Sequence, residues 1–430
     1  MLPRIRHNIA ALGALQAANY LIPLVTLPFL ARVLGVEAFG KVAFVQVLMT
    51  FFIMVTDYGF TWSATLQIAS NRDDREKVTS IFAATWAAQW TLLGACTIVI
   101  GAMVALIPLL RGDAPLHCMG VLLVIGNVLF PLWLLQGLER MREVAVIQIA
   151  GRLAAVPLMF IFIHGPNDAL TAVALVGMGP LLAGLISIGW IRRLKLVDFR
   201  RPASGAVLAT LRDGAGLFVS KLTISSYTTL VPLVLGAVSG PAALACFNLA
   251  DRLRTAAQSG LTPLSQSIFP RMGHLFSSDA KAARSLLKLS VLSVLAVGGG
   301  ASAALWIFAG PIISLVGGSG YQSSVSVLRY LAPLPLVVSI SQVAALQIVL
   351  PNNRRRQFNY ALRLGSILAL LLMWPMCALF REVGAALVWL IVELLVCGCM
   401  WYAAFDVLRT ERLPDGYRPL VLGDEKVPGP

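Results

Sequence analysis

The sequence is poor in charge. Only 13% of its 430 residues are charged, while 58% are hydrophobic, and the mean hydropathy is +0.81. That balance lies outside the range of soluble globular domains and points to an integral membrane protein. No polar stretch is long enough to fold as a separate domain, and no GxxxxGK[ST] loop occurs, which excludes a nucleotide-hydrolysing module; "GGSG" at Gly317 to Gly320 reads only as a turn. The four histidines, His7, His117, His164 and His274, sit near span ends or in connections and form no HExxH pair. No metal, cofactor or catalytic residue is expected. Six cysteines are scattered through apolar segments, and the "CGC" of Cys397 and Cys399 lacks the two-residue gap of metal-binding pairs, so they read as small packing residues.

What the chain does have is apolar runs. Stretches of about 18 to 25 such residues recur along the whole length, each able as a helix to cross a hydrocarbon core of about 30 Å. The runs are continuous and do not alternate, which excludes a β-barrel. Breaks at charged or Gly/Pro-rich positions predict about twelve helices, starting near residues 9, 38, 79, 115, 144, 168, 213, 241, 286, 327, 358 and 383. The charged start and apolar run of the N-terminus resemble a signal peptide. Because that run continues past "LQAANY" with no polar domain behind it, a retained first helix is expected. The longest basic break, Arg192 to Gly205, divides the chain. The expected fold is therefore an all-α integral membrane protein with two six-helix lobes around a central cavity. The lobes would occupy 1–191 and 213–406, with a basic linker at 192–212 and a polar tail at 407–430.

The connections carry charge on one side. The N-terminus, the breaks at 71–77, 139–143, 192–212, 271–288 and 354–356, and the tail from Arg409 hold roughly 24 Lys and Arg, against about three (Arg32, Arg111 and Arg381) in the others. An even number of spans with both termini in the cytoplasm of a bacterial inner membrane follows. The net charge of +14 is accounted for without nucleic acid. A weak internal echo joins the halves: "LPFLARVLGVEAFGKVAFVQVL" (Leu27 to Leu48) resembles "VPLVLGAVSGPAALACFNLADRL" (Val231 to Leu253). In each, a proline precedes by seven or eight residues a glycine in a short turn, and another helix follows. Six helices between the copies give them the same orientation, as in carriers that alternate access to a central cavity.

The remaining chemistry is charge inside the hydrocarbon, where an ionised side chain costs about 2.5 to 3.5 kcal/mol unless it meets water or a partner. At about 1.5 Å per residue, Arg252 and Arg254 fall about 16 to 20 Å from the outer end of the eighth span. Lys221 and Arg152 fall about 12 Å inside the seventh and fifth spans, and Lys41 begins the second from outside. Internal neutralisation, such as Asp251 with Arg254 at i, i+3 or Glu393 with another partner, is one reading. The other is a cationic lumen that receives an anion, because deep cations outnumber deep carboxylates and arginine's planar fork suits phosphate. Glu393, Asp251 and Asp57 are candidates for coupling to a proton or sodium ion, although Asp57 also suits a solvated helix end. Gln16, Asn19, Gln46, Asn127, Gln148, Asn248 and Gln258 would bind sugar hydroxyls or join helices.

Four segments carry a family resemblance: "NYLIPLVTLPFLARVLGVEAFG" (Asn19 to Gly40), "DYGFTWSATLQIASNRDD" (Asp57 to Asp74), "PLWLLQGLERM" (Pro131 to Met141) and "PLSQSIFPRM" (Pro263 to Met272). Together they resemble the Wzx-type polysaccharide flippases of the multidrug/oligosaccharidyl-lipid/polysaccharide exporter superfamily. The resemblance implies a twelve-helix, two-lobed carrier of undecaprenyl-diphosphate-linked oligosaccharide. It also implies a lumen in which Arg152, Lys221, Arg252 and Arg254 serve the anionic headgroup, with polysaccharide polymerase and chain-length machinery as neighbours. The polar C-terminal tail is unlike the two extra helices of the peptidoglycan-precursor branch. A cation-coupled multidrug antiporter of the same superfamily is the alternative and would call for an acidic cavity. A membrane scaffold that transports nothing would leave the buried charge without a task.

Overall fold

The computed structural model describes residues 2–259, 280–352 and 354–409. All regular elements among them are helical, with no strand. The Pro263 to Met272 segment and the polar tail beyond Arg409 lie outside the described residues. The first half of the chain forms α1 (Leu2–Asp57), α2 (Phe60–Ser70), α3 (Arg75–Leu106), α4 (Pro108–Arg111), α5 (Ala114–Leu129), α6 (Leu132–Gly137), α7 (Met141–Phe162) and α8 (Ala169–Arg193). The second half forms α9 (Ala206–Thr228), α10 (Leu230–Ser239), α11 (Pro241–Ser259), α12 (Ala280–Ile307), α13 (Ala309–Val316), α14 (Ser323–Leu331), α15 (Leu334–Gln342) and α16 (Arg355–Arg409). A π-helical stretch, Val343–Val349, continues α15.

Two of these helices are far longer than a bilayer requires. About 20 residues span the hydrocarbon, whereas α1 has 56 and α16 has 55. Each contains one residue outside helical geometry: Gly35 (φ 71°, ψ 176°) in α1 and Arg381 (φ 50°, ψ −130°) in α16. Gly240, between α10 and α11, has nearly the dihedrals of Gly35, at φ 86° and ψ 173°. These are the two glycines of the sequence echo, each behind its proline, Pro28 or Pro232. A positive φ with extended ψ is open to glycine and disfavoured for other residues, so the same local chemistry makes the same turn twice.

Eight helical stretches among the described residues are long and apolar enough to cross a membrane. The sequence leads one to expect about twelve. The difference has two physical sources. Ile22–Ser70 and Arg355–Val407 each run through a turn and count once. In addition, α10 has only 10 residues, while α9 carries Arg212, Asp213 and Lys221 and α11 carries Asp251, Arg252 and Arg254, which lower their apolar content.

The largest buried cluster crosses between the halves. Leu34, Val42 and Met49 of α1 share it with Leu244, Phe247 and Ala250 of α11, Tyr321, Leu328 of α14, and Ala385 and Val392 of α16. A second cluster, with Phe60, Ile68, Phe82, Trp133 and Ile191 at its centre, lies in the first half beneath its basic connections. Large apolar side chains also cover the outside, among them Ile98, Leu106, Leu315, Leu371 and Leu379. In water so much exposed apolar surface would aggregate, and in a bilayer it meets lipid. Inside the second half, Gln347 of the π stretch donates to Ser290 Oγ at 2.7 Å, while its Oε1 is buried without a partner among the described residues.

Candidate functional site

Helix α11 lies along α1, so residues on its facing side sit where the two halves meet. Arg252 is on that side. Its Nε donates to Asn248 Oδ1 at 2.8 Å, one turn back on the same helix, and its Nη2 donates to Gln46 Oε1 at 2.6 Å on α1. Both acceptors are neutral amide oxygens, and among the described residues no carboxylate lies within 4.0 Å of the guanidinium. A guanidinium has five N–H donors. Arg252 therefore brings its guanidinium to the junction of the halves with neutral acceptors and donors to spare.

The neighbouring charges of α11 behave differently. Arg254 donates to Asp251 Oδ1 through Nε at 2.8 Å and Nη2 at 2.6 Å, the i, i+3 pairing allowed by the sequence. It also donates to Gln258 and to Thr255, and its Cζ lies 5.2 Å from the Trp389 ring centre. Lys221 of α9 is ion-paired with Asp57 at the end of α1, which also accepts from Thr61. Lys41 pairs at 2.9 Å with Asp113, just before α5. Arg152 is half-buried on α7, and Glu393 is half-buried on α16.

Of the expected site residues, the structure joins Arg254 with Asp251 and Lys221 with Asp57. Lys41 acquires a partner that the sequence does not single out, since Asp113 is 72 positions away. Lys221, Arg252 and Arg254 have no hydrogen-bond acceptor in common among the described residues. Arg252 is held between Gln46 and Asn248, two of the uncharged polar residues noted in the sequence. What sequence reasoning misses is the set of partners: Asp113 for Lys41, Trp389 for Arg254, and His117, which is buried beside Asp113. Only the last leaves a local signal, an Asp and a His four residues apart at a helix start.

Known proteins with the same pattern settle what kind of chain this is. The family described as polysaccharide biosynthesis protein matches residues 5–276, more than half of the sequence. The chain belongs to that family. It is 35% identical over 404 residues to a protein of Escherichia coli (strain K12) named as an O-antigen transporter, covering 92% of this chain and 95% of that one. A protein of Shigella dysenteriae with the same name is 28% identical over 392 residues, covering 91% and 98%. Among solved structures, an inward-facing multidrug-resistance MATE transporter of the MOP superfamily aligns with a TM-score of 0.67 at 13% identity, over 92% of this chain and 99% of that one. The lipid II flippase MurJ in an inward closed conformation aligns with 0.66 at 13%, over 94% and 87%. At these identities the structural matches speak to fold alone: this polysaccharide biosynthesis protein has the MOP transporter architecture.

Proposed function

We propose that the protein is a flippase that moves undecaprenyl-diphosphate-linked oligosaccharide units from the cytoplasmic to the periplasmic leaflet of a bacterial inner membrane, for O-antigen or exopolysaccharide synthesis. Its family membership and its relatives named as O-antigen transporters support this reading. The observation that carries it is Arg252, an arginine between the halves whose partners are both neutral. An ionised group held this way is expensive inside a bilayer unless a counter-charge arrives, and a diphosphate is such a charge. Asp57, Asp113 and Asp251 are each met by a cation, which disfavours the cation-selective antiporter reading.

In this mechanism the polyprenyl chain stays in lipid while the diphosphate and sugars enter between the halves. Arg252 releases Gln46 and takes phosphate oxygens instead, so headgroup binding loosens a bond between the halves. The halves then rock and open to the other side. A membrane potential negative inside assists outward movement of an anion by about 2.3 kcal/mol per charge per 100 mV, and a proton or sodium ion completes the cycle.

Proteoliposomes loaded with lipid-linked oligosaccharide test this. Arg252→Gln removes charge-assisted hydrogen bonds of about 1.5 to 3 kcal/mol and is expected to slow flipping by roughly tenfold or more. Arg254→Gln, whose charge Asp251 already meets, should slow it less. Wild-type flipping by Arg252→Gln, or efflux of a cationic dye in place of oligosaccharide transfer, overturns the proposal.

A further inference from the structure

A second polar site lies away from Arg252, where the halves meet at the end opposite the basic connections. It is a cavity of about 40 Å³ lined by Lys41 and Phe44 of α1, Asp113 and His117 at the start of α5, and Gly236 and Pro241 from the other half. A buried water needs at least about 10 to 15 Å³ and two or more polar partners, so the cavity has room for water beside the Lys41–Asp113 pair. His117 is 3% exposed. Its Nδ1 lies 2.8 Å from the backbone oxygen of Asp113, which can only accept, so Nδ1 carries the hydrogen. In the neutral ring Nε2 is then a bare acceptor, and it is buried with no partner among the described residues. Phe44 packs edge-on against the ring, 6.0 Å between centres. An unsatisfied buried acceptor costs about 1 to 3 kcal/mol, and a proton would make it an N–H donor and a buried charge with no acceptor among the described residues, which the closed pocket meets badly.

We propose that His117 Nε2 is a proton-binding site that controls this junction. The inference rests on reading the chain as a carrier whose halves separate here. Lys41 and Asp113 are the charged groups lining the cavity, and together they are neutral. Around them, α4 brings Arg111, whose guanidinium donates to the Ala105 oxygen. Helix α10 has no titratable residue, and the charges of α3, Arg75, Glu76 and Lys77, and of α8, Arg192 and Arg193, lie at their far ends; at the near end, Glu37 of α1 and His164 before α8 are exposed, and the Asp168 carboxyl accepts from backbone N–H groups. A proton on His117 thus makes a neutral pocket cationic. The imidazolium also competes with Lys41 for Asp113. Both effects are relieved when water enters, so protonation of His117 favours the open junction. By linkage, acid favours the open form and alkali the closed one.

The test needs no transport. Spin labels at Gly112→Cys and Ser319→Cys, exposed positions in the two halves, are placed in the full chain after its six native cysteines are replaced. At about pH 5 a longer distance between labels should be populated that is absent at about pH 8. His117→Gln should hold the short distance at both. The same pH response in His117→Gln, or no response in the parent, overturns the proposal. A second measurement leaves His117 untouched: with His7, His164 and His274 each replaced by Gln, the remaining histidine is observed by nitrogen NMR. Protonation of Nε2 between about pH 5 and pH 8 supports the site, and a ring still neutral at pH 5 removes it. Loss of oligosaccharide flipping with this titration intact would instead strike the functional reading alone.

Discussion

Two of the places where the halves touch are built from different materials. Near the turns at Gly35 and Gly240, backbone meets backbone. A Cβ on Gly40 would lie 2.0 Å from the carbonyl oxygen of Pro241. Tyr321 Oη donates to the Ala31 oxygen at 3.2 Å, and Arg32 donates to the Leu315 oxygen. At the other end, beside the basic connections, side chains do the joining: Lys221 pairs with Asp57, and Tyr58 stacks on Phe218 with ring centres 4.5 Å apart and planes 14° from parallel. A junction with close-packed backbone tolerates no added volume. One of an ion pair and a stack accepts size changes and yields to a single lost charge. The two ends of one carrier can therefore be loosened by different means.

The largest effect should come from adding volume at the first junction. Gly40→Val places its Cβ against backbone that cannot turn aside and should destabilise the fold by about 3 kcal/mol or more, the upper part of the overpacking range, measured by denaturant titration in detergent. A tolerated valine would show that this junction is loose. Next comes Asp57→Asn, which strands a half-buried ammonium and should cost about 1 to 3 kcal/mol. Combined with Lys221→Gln, it should recover part of the loss, a coupling of about 0.5 to 3 kcal/mol. Additive losses would mean that charge is not what closes this end. The smallest effect belongs to carboxylates that touch neither junction. Backbone N–H groups of His164 and Gly165 hold the Asp168 carboxyl below the usual range, and the Lys77 N–H does the same for Asp74. With the folded value lowered, each contributes stability above the ordinary carboxylate pKa and loses it as pH falls through the lowered one. Asp74→Ala and Asp168→Ala should therefore flatten acid unfolding slightly and leave label distances between the halves unchanged.

Much of the frame is legible in the sequence because lipid imposes a simple rule of long apolar runs between charged connections. The Gly35 and Gly240 turns are legible for the same local reason, a proline and a glycine at fixed spacing. Counting spans goes less well, since composition cannot say whether a polar helix such as α9 or α11 crosses. The site is legible only as a set of residue types. Asp251 and Arg254 declare their pairing through helical spacing. Lys41 with Asp113, Lys221 with Asp57 and Arg252 with Gln46 are separated by 72, 164 and 206 positions, and such meetings depend on how helices pack. Residue types alone therefore could not tell Arg252, held by two neutral amides, from Arg254 and Lys221, each met by a carboxylate.

The π stretch Val343–Val349 has a mechanical consequence. Such a turn stores one residue more than an α turn of the same height. Winding it back to α geometry, or moving the bulge along, would turn everything beyond it by about 100° and shift it by about 1.5 Å. Gln347, with one amide atom bonded to Ser290 and the other without a partner among the described residues, would be carried around with it. That helix holds a built-in ratchet tooth, able to re-index its face without the chain being cut loose at either end.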